Sequence, residues 1–366
     1  MDKRYVIKIC YYVTMSLIDT MYVNDSMSLE DFLQEWNNSS DVVLVHTSGS
    51  TGKPKPMWAE KKRMLNSARI TNDFLGLKEG DTALLCMPLD YIAGKMMVVR
   101  SIERKMQLIA EEPSGHPLSV NTSSPSGRLG GVSGGVSGGI SLAAMVPLQV
   151  YNSLQVPEER EKLRSIQHLL IGGGAVDEDM AQELKNFPNS VWSTYAMTET
   201  LSNIALRRLN GPEASEWYTP FDSVGISLNA EGCIVIDAPL VHDGILTTND
   251  RAELRTLPNG KVQFRILGRK DNVIDSGGIK IQIEEVEKTL KPFLSAPYLI
   301  TKAKDKKFGE TVVLLTEQND LAEVSEICMN ALPKYWQPHR YIHVDNIPLT
   351  ETGKPARAKA MQIAAE

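Results

Sequence analysis

The order of apolar and polar positions divides the chain into a long α/β part and a shorter α+β part. A helical pattern over 28–36 precedes the run Asp41-Val-Val-Leu-Val45, which predicts a short buried strand. That strand runs into 47–55, too rich in Gly and hydroxyls for any regular element. Residues 60–75 then place Met64, Leu65, Ala68, Phe74 and Leu75 at helical spacing. Strand, glycine loop and helix is the order of an α/β phosphate-handling unit. Further on, 166–171 predicts a strand ending at Gly172-Gly-Gly174, 179–186 a helix, and 191–195 a strand leading into Thr198-Glu199-Thr200. Three short strand patterns follow between 232 and 264: GCIVID, GILTTND and KVQFRIL. Beyond Asp271 the pattern becomes small α+β, with a helix over 284–294 carrying Val286, Leu290 and Leu294 on one face. A domain boundary is expected at 268–272, giving a large domain over 1–268 and a small one over 269–366. No internal repeat is visible.

Segment 114–139, SGHPLSVNTSSPSGRLGGVSGGVSGG, is too poor in apolar side chains to bury a core. It is expected to be a flexible surface connector; the sharper alternative is an edge near an active-site entrance. At 366 residues, ordinary composition argues for a folded protein with more than one domain. A net charge of −6 without basic runs disfavours nucleic acid as a partner. The four cysteines and six histidines show no metal-ligand spacing, as in a reduced, cytoplasmic protein. The apolar run 5–18 faintly resembles a signal peptide but contains Lys8 and lacks a cleavage site. It is too short and polar to span a membrane, and a start at Met21 or Met27 explains it equally well.

Gly, Ser and Thr in one loop suit phosphate, because backbone N–H groups approach closely and hydroxyls add donors. Lys53 adds a point charge. The Walker A loop fails twice: Thr47 stands where its first glycine belongs, and Pro54 where its hydroxyl belongs. This is another kind of phosphate loop. A plain surface turn is the bland alternative.

Thr47-Ser-Gly-Ser-Thr-Gly-Lys-Pro-Lys55 resembles the signature loop of the acyl/aryl-CoA synthetase, luciferase and peptide-synthetase adenylation superfamily. The superfamily's other motifs follow in order. Gly172-Gly-Gly-Ala175 resembles its adenine-contacting turn, and Tyr195-Ala-Met-Thr-Glu-Thr200 its Y-G-x-T-E motif. Thr248-Asn-Asp250 stands where it has T-G-D. Gly268-Arg-Lys-Asp-Asn272 with Ser276-Gly-Gly278 resembles its hinge and first small-domain strand. Pro348-Leu-Thr-Glu-Thr-Gly-Lys354 resembles the loop of its catalytic lysine. The resemblance spans 47–354 and implies a large adenylate-forming domain with a small, mobile α+β lid.

It also implies roles. Thr47, Ser48, Gly49, Ser50, Thr51, Gly52 and Lys53 would hold the phosphates of ATP. Gly173, Gly174, Ala175, Tyr195 and Thr198 would surround the adenylate, with the Tyr195 ring against adenine. Glu199 would hold Mg²⁺, a hard ion suited to oxygen ligands. Asp250 would accept the ribose hydroxyls beside the Arg269 fork. Asp271 would be the hinge, and Ser276, Gly277 and Gly278 would line the coenzyme A tunnel, although a plain turn explains two glycines equally well. Lys354 would stabilise charge as the carboxylate meets the α-phosphate. Two steps follow: formation of acyl-AMP from a small carboxylic acid, then transfer of the acyl group to coenzyme A.

Four departures stand out. Only 1–41 remains of the region of roughly a hundred residues that usually precedes the loop in the superfamily, so a reduced N-terminal region is expected. Ala196 and Asn249 replace glycines, and Tyr91 in Pro88-Leu-Asp-Tyr-Ile-Ala-Gly94 replaces a common histidine. The MTETLS and ETGKPAR stretches most resemble short bacterial o-succinylbenzoate–CoA ligases of menaquinone synthesis. That acid needs an apolar pocket and a donor for its distal carboxylate; Tyr91, Ser141, Val146, Pro147 and Ser202 are the candidate wall. Other readings are a short-chain or aryl acyl-CoA ligase, an enzyme loading a carrier protein, and a non-catalytic nucleotide-binding module. A homodimer is expected only from the habit of related enzymes.

Overall fold

The structure is a computed structural model that describes residues 27–46, 56–119, 139–176, 178–349 and 355–366. The run 5–18, the loop 47–55 and most of the Gly/Ser connector lie outside the described residues. The centre of the large part is a seven-stranded sheet. Its order is Gln107–Ala110, Thr82–Leu85, Leu142–Met145, His168–Ile171, Ser190–Ala196, Asn203–Arg208, Thr219–Pro220. The first five strands are parallel and the last two pair antiparallel.

Alternation along these strands feeds two cores. Ala83, Leu85, Leu142 and Leu170 face helices Lys61–Leu75 and Ile92–Arg104, through Met64, Ala68, Met96 and Val99. Leu84, Ala143, Met145, Leu169 and Ile171 face the opposite way, toward helices Pro147–Gln155, Pro157–Ser165 and Glu178–Leu184. A sheet covered on both faces explains why its parallel strands are almost wholly apolar. Each large aliphatic side chain so buried contributes about 1.5–3 kcal/mol. Helix Lys61–Leu75 stops at Gly76 in the left-handed region, where Leu77 N–H bonds to Asn72 O and closes the last turn.

Two expectations are corrected. Strand and helix do not simply flank the glycine loop: a further strand, Pro56–Glu60, follows it and pairs antiparallel with Val42–His46. The latter strand is half-buried in alternation because only one of its faces is covered. Its outer edge is satisfied by side chains: Glu35 accepts Leu44 N–H at 3.0 Å and Lys95 Nζ donates to Leu44 O at 3.0 Å. Phe74 is not in the core; it is exposed, with its ring edge-on to Trp192 and Phe221.

An antiparallel sheet, Gly225–Leu228, Cys233–Asp237, Ile245–Thr256 and Val262–Arg269, joins the large sheet through a Tyr218–Phe264 bridge. The single-turn 3₁₀ connector Lys270–Asn272 then leads into a five-stranded sheet. That sheet has its own core, with helices Ile283–Leu290 and Leu321–Ala331 on one face and Arg357–Ala365 on the other. The helix expected over 284–294 ends at Leu290, although Leu294 stays buried beyond it.

Candidate active site

Ligands of open parallel sheets bind beyond the carboxyl ends of the strands. At that end lie Gly172–Gly174, Thr198–Thr200, Val146 with Pro147, and Tyr91, each following its parallel strand. Ser141 is not brought there. It precedes Leu142–Met145 at the opposite end of the sheet, buried, with its Oγ accepting Thr82 N–H at 3.3 Å. Ser141 therefore leaves the candidate acyl wall.

Asp250 is the centre of the described site. Two irregularities bring its neighbours together. The pairing of Ser190–Ala196 with Asn203–Arg208 skips Ile204 beside Tyr195, and that of Ile245–Thr256 with Val262–Arg269 skips Leu267 just past Asp250. Such bulges re-aim side chains. Tyr195 O–H donates to Asp250 Oδ2 at 2.6 Å, and Arg269 Nη1 donates to Asp250 Oδ1 at 3.2 Å. Thr248 Oγ1 accepts the Asp250 N–H, fixing the turn of the strand. Burial first, and then the Asp250 carboxylate, push the Tyr195 hydroxyl well above the ordinary tyrosine range, so it remains a donor. The Tyr195 ring stands edge-on to Phe264, 5.1 Å between centroids.

Each carboxylate oxygen has two lone-pair sites. With one taken on each by the described residues, Asp250 keeps one acceptor per oxygen beyond them, which matches a pair of vicinal hydroxyls. Gly173, Gly174 and Ala175 are exposed nearby in sequence order, and Thr198 is buried with its carbonyl accepting Leu201 N–H. Glu199 is half-buried and has no hydrogen-bond partner among the described residues. Among those residues no group of three or more His, Cys, Asp or Glu could hold a metal ion. A free carboxylate fits a hard divalent ion that takes its remaining ligands from phosphates and water.

Sequence reasoning missed Arg100. It is 3% exposed in the interior of helix Ile92–Arg104. Its Nη2 donates to Asn203 Oδ1 at 2.6 Å and to the Ser202 hydroxyl, while its Nε has no partner among the described residues. Burial pulls it down to about 10, and no carboxylate among the described residues faces it. Its signal lay in periodicity: Arg100 falls one turn after Met96 and Met97, on a buried face.

Beyond Asp250, Arg269 Nη2 donates to Asp271 at 2.9 Å, and Asn249 Nδ2 donates to both Asp271 oxygens at 3.0 and 3.3 Å. Gly268 has φ +140, and a Cβ there would meet Gln282 Nε2 at 2.5 Å, so only glycine fits. Gly277 (φ +61) and Gly278 (φ +87) are the two central residues of the hairpin turn between Val273–Ser276 and Ile279–Gln282. Two left-handed residues in a two-residue turn favour glycine, so the turn accounts for them as it stands. Thr47, Ser48, Gly49, Ser50, Thr51, Gly52, Lys53 and Lys354 lie outside the described residues. The residues flanking Lys354's segment are tied: Leu349 bridges Pro355, and Ala356 N–H bonds to Pro348 O.

An α/β sheet with its acceptors at the carboxyl ends and a separate α+β unit behind a short connector define the adenylate-forming fold. Residues 6–244 match the AMP-binding enzyme family, and the chain belongs to it. It is thus an AMP-forming acid–thiol ligase in class. Among curated relatives, a 2-succinylbenzoate–CoA ligase from Enterococcus faecalis is 25% identical over 365 residues, covering 92% of this chain and 72% of the relative. One from Haemophilus influenzae is 23% identical, covering 92% and 74%. An acyl-CoA synthetase (AMP-forming)/AMP-acid ligase II-like protein from Dyadobacter fermentans superposes with TM-score 0.57 at 28% identity, covering 91% of this chain and 92% of that one. An o-succinylbenzoate coenzyme A synthetase from Bacillus subtilis, solved with ATP and magnesium ion, shares the fold at TM-score 0.67 and 22% identity, covering 86% and 68%. Among the described residues no helix is long and apolar enough to cross a membrane.

Proposed function

We propose that this chain is an ATP-dependent acid–CoA ligase whose acid is o-succinylbenzoate. A carboxylate oxygen of the acid attacks the α-phosphorus of ATP; the P–O bond to pyrophosphate breaks and acyl-AMP remains. The sulfur of coenzyme A then attacks the acyl carbon, the C–O bond to AMP breaks, and the thiol proton leaves to solvent. The observation that carries the nucleotide half is Asp250, with one acceptor left on each oxygen between Tyr195 and Arg269. Lys354 would stabilise the charge that gathers when carboxylate and phosphate meet. Glu199 would hold Mg²⁺, which when bound supplies positive charge against the phosphate oxygens. The unit beyond Arg269 would turn about Asp271 between the two steps.

Arg100 supports the choice of acid. An uncompensated guanidinium in the interior costs several kcal/mol, and a second carboxylate on the substrate would offset that cost. Ser202, which is bonded to Arg100, would form the acyl wall together with Tyr91, Val146 and Pro147.

Thioester formation with ATP and coenzyme A, followed by chromatography for o-succinylbenzoate and benzoate, tests both halves. Arg100→Met should lower kcat/KM for o-succinylbenzoate by about 30-fold or more while benzoate changes far less, since truncating one partner of a buried charge pair costs about 2–5 kcal/mol. Equal losses for the two acids would remove Arg100 from recognition of the acid. No pyrophosphate exchange into ATP with any of a wide range of acids would remove the ligase itself.

A further inference from the structure

The chain passes from one hydrophobic core to the next through Lys270–Asn272 alone, between strand Val262–Arg269 and strand Val273–Ser276. A three-residue link between separately packed bodies is where a relative rotation would concentrate. The contacts around it divide by the body they belong to. On the far side, Gln282 Nε2 donates to Arg269 O at 3.0 Å and Asn272 Nδ2 donates to Glu284 at 2.5 Å. On the near side, Asn249 clasps the Asp271 carboxylate, Arg269 reaches back to Asp250, and Lys270 Nζ meets Glu231 at 2.6 Å.

We propose, on the reading of the chain as a two-step ligase, that Asn249 is a positioning residue that latches this connector in one of its two orientations. Its amide is the near-side tie best suited to the task. Asp271 is exposed and charged, and Asn249 satisfies both its oxygens from a strand that also carries Asp250. A glycine at 249 has no group to offer. The Lys270–Glu231 pair is also exposed and weakens in salt, whereas a neutral amide donor is much less sensitive to screening. The Arg269–Asp250 bond is likewise a partly exposed ion pair and weakens in salt. Among the described near-side ties to the connector, only that of Asn249 has a neutral donor; the others, Arg269–Asp271 included, are ion pairs that salt screens.

The test compares wild type with Asn249→Gly and Asn249→Asp in 0.5 M salt. Trypsin cleavage after Arg269 or Lys270, mapped by mass spectrometry, reads the connector directly. Cleavage should quicken by about three- to tenfold in the glycine variant, as for loss of one or two ordinary hydrogen bonds, with a global melting temperature like that of wild type. It should quicken further in the aspartate variant, where two carboxylates face each other. The rates of pyrophosphate exchange and of thioester formation from supplied acyl-AMP should also shift relative to each other by at least about threefold in Asn249→Gly. Cleavage at the wild-type rate in both variants, or an unchanged ratio of the two half-reactions, overturns the latch. A wild type without pyrophosphate exchange would overturn the ligase reading instead, and the proteolysis result would still decide whether the connector is held.

Discussion

Tyr195→Phe removes one oxygen from the site and nothing else. That oxygen donates to Asp250 at 2.6 Å, and bonds to a charged acceptor contribute about 1.5–3 kcal/mol net. The Asp250 side chain is 22% exposed, so water replaces part of the lost donor, and about 1–2 kcal/mol is the proper figure. The ring keeps its edge-on contact with Phe264, so packing is unchanged. Among the described residues the Asp250 carboxylate would then be held by Arg269 alone, and its remaining acceptors would no longer be fixed for a ribose. Calorimetric titration should show Kd for ATP and AMP rising about 5- to 30-fold, with the melting temperature lower by only about 2–8 °C. Wild type should discriminate against 2′-deoxy and 3′-deoxy analogues, and the variant less so. Because the Tyr195 pKa is raised in the fold, its contribution is complete below the ordinary tyrosine value and is lost only as pH climbs past that toward the raised one. Tyr195 should therefore leave ATP affinity flat from about pH 7 to 9.5. Affinity within twofold of wild type, or deoxy analogues binding wild type as tightly as ATP, would refute the assignment of Asp250 to a ribose.

Arg357→Met should lower stability by about 2–4 kcal/mol, because Arg357 grips both oxygens of Glu287 at 2.7 Å and also Ile300 O, largely out of water; calorimetry should show the small unit melting about 10 °C earlier. Burial pushes the Cys86 thiol up to about 12 and the Cys328 thiol up to about 11. Iodoacetamide at pH 8.5 should therefore leave both unlabelled in the native protein and label both once it is unfolded, as read by peptide mapping.

The parts of the site that the sequence made legible are those fixed by local chemistry. Gly172–Gly174 and Thr198–Thr200 follow apolar runs, and a run that ends in glycine or hydroxyls marks the carboxyl end of a strand. Pro56–Glu60 was missed because proline and a charged neighbourhood argue against a central strand; it is in fact half of an isolated two-stranded pair, where proline is tolerated. Ser141 was misplaced for want of direction. It stands before its apolar run, and in a parallel sheet that is the end away from the ligand.

What no local pattern could supply is the meeting of Tyr195 with Asp250, 55 residues apart. Each lies at a point where its strand pairing slips by one residue, and a slip is a property of two strands at once. The same holds for Arg100. Its helix shows a basic residue amid apolar ones, but only the strand that begins at Asn203 supplies the neutral partners that leave its charge uncompensated. Charge left unpaired in a packed interior is costly unless another molecule completes it. On the proposed function, a second carboxylate on the acid is the group that Arg100 would receive, and specificity would be set by a helix that no phosphate motif touches.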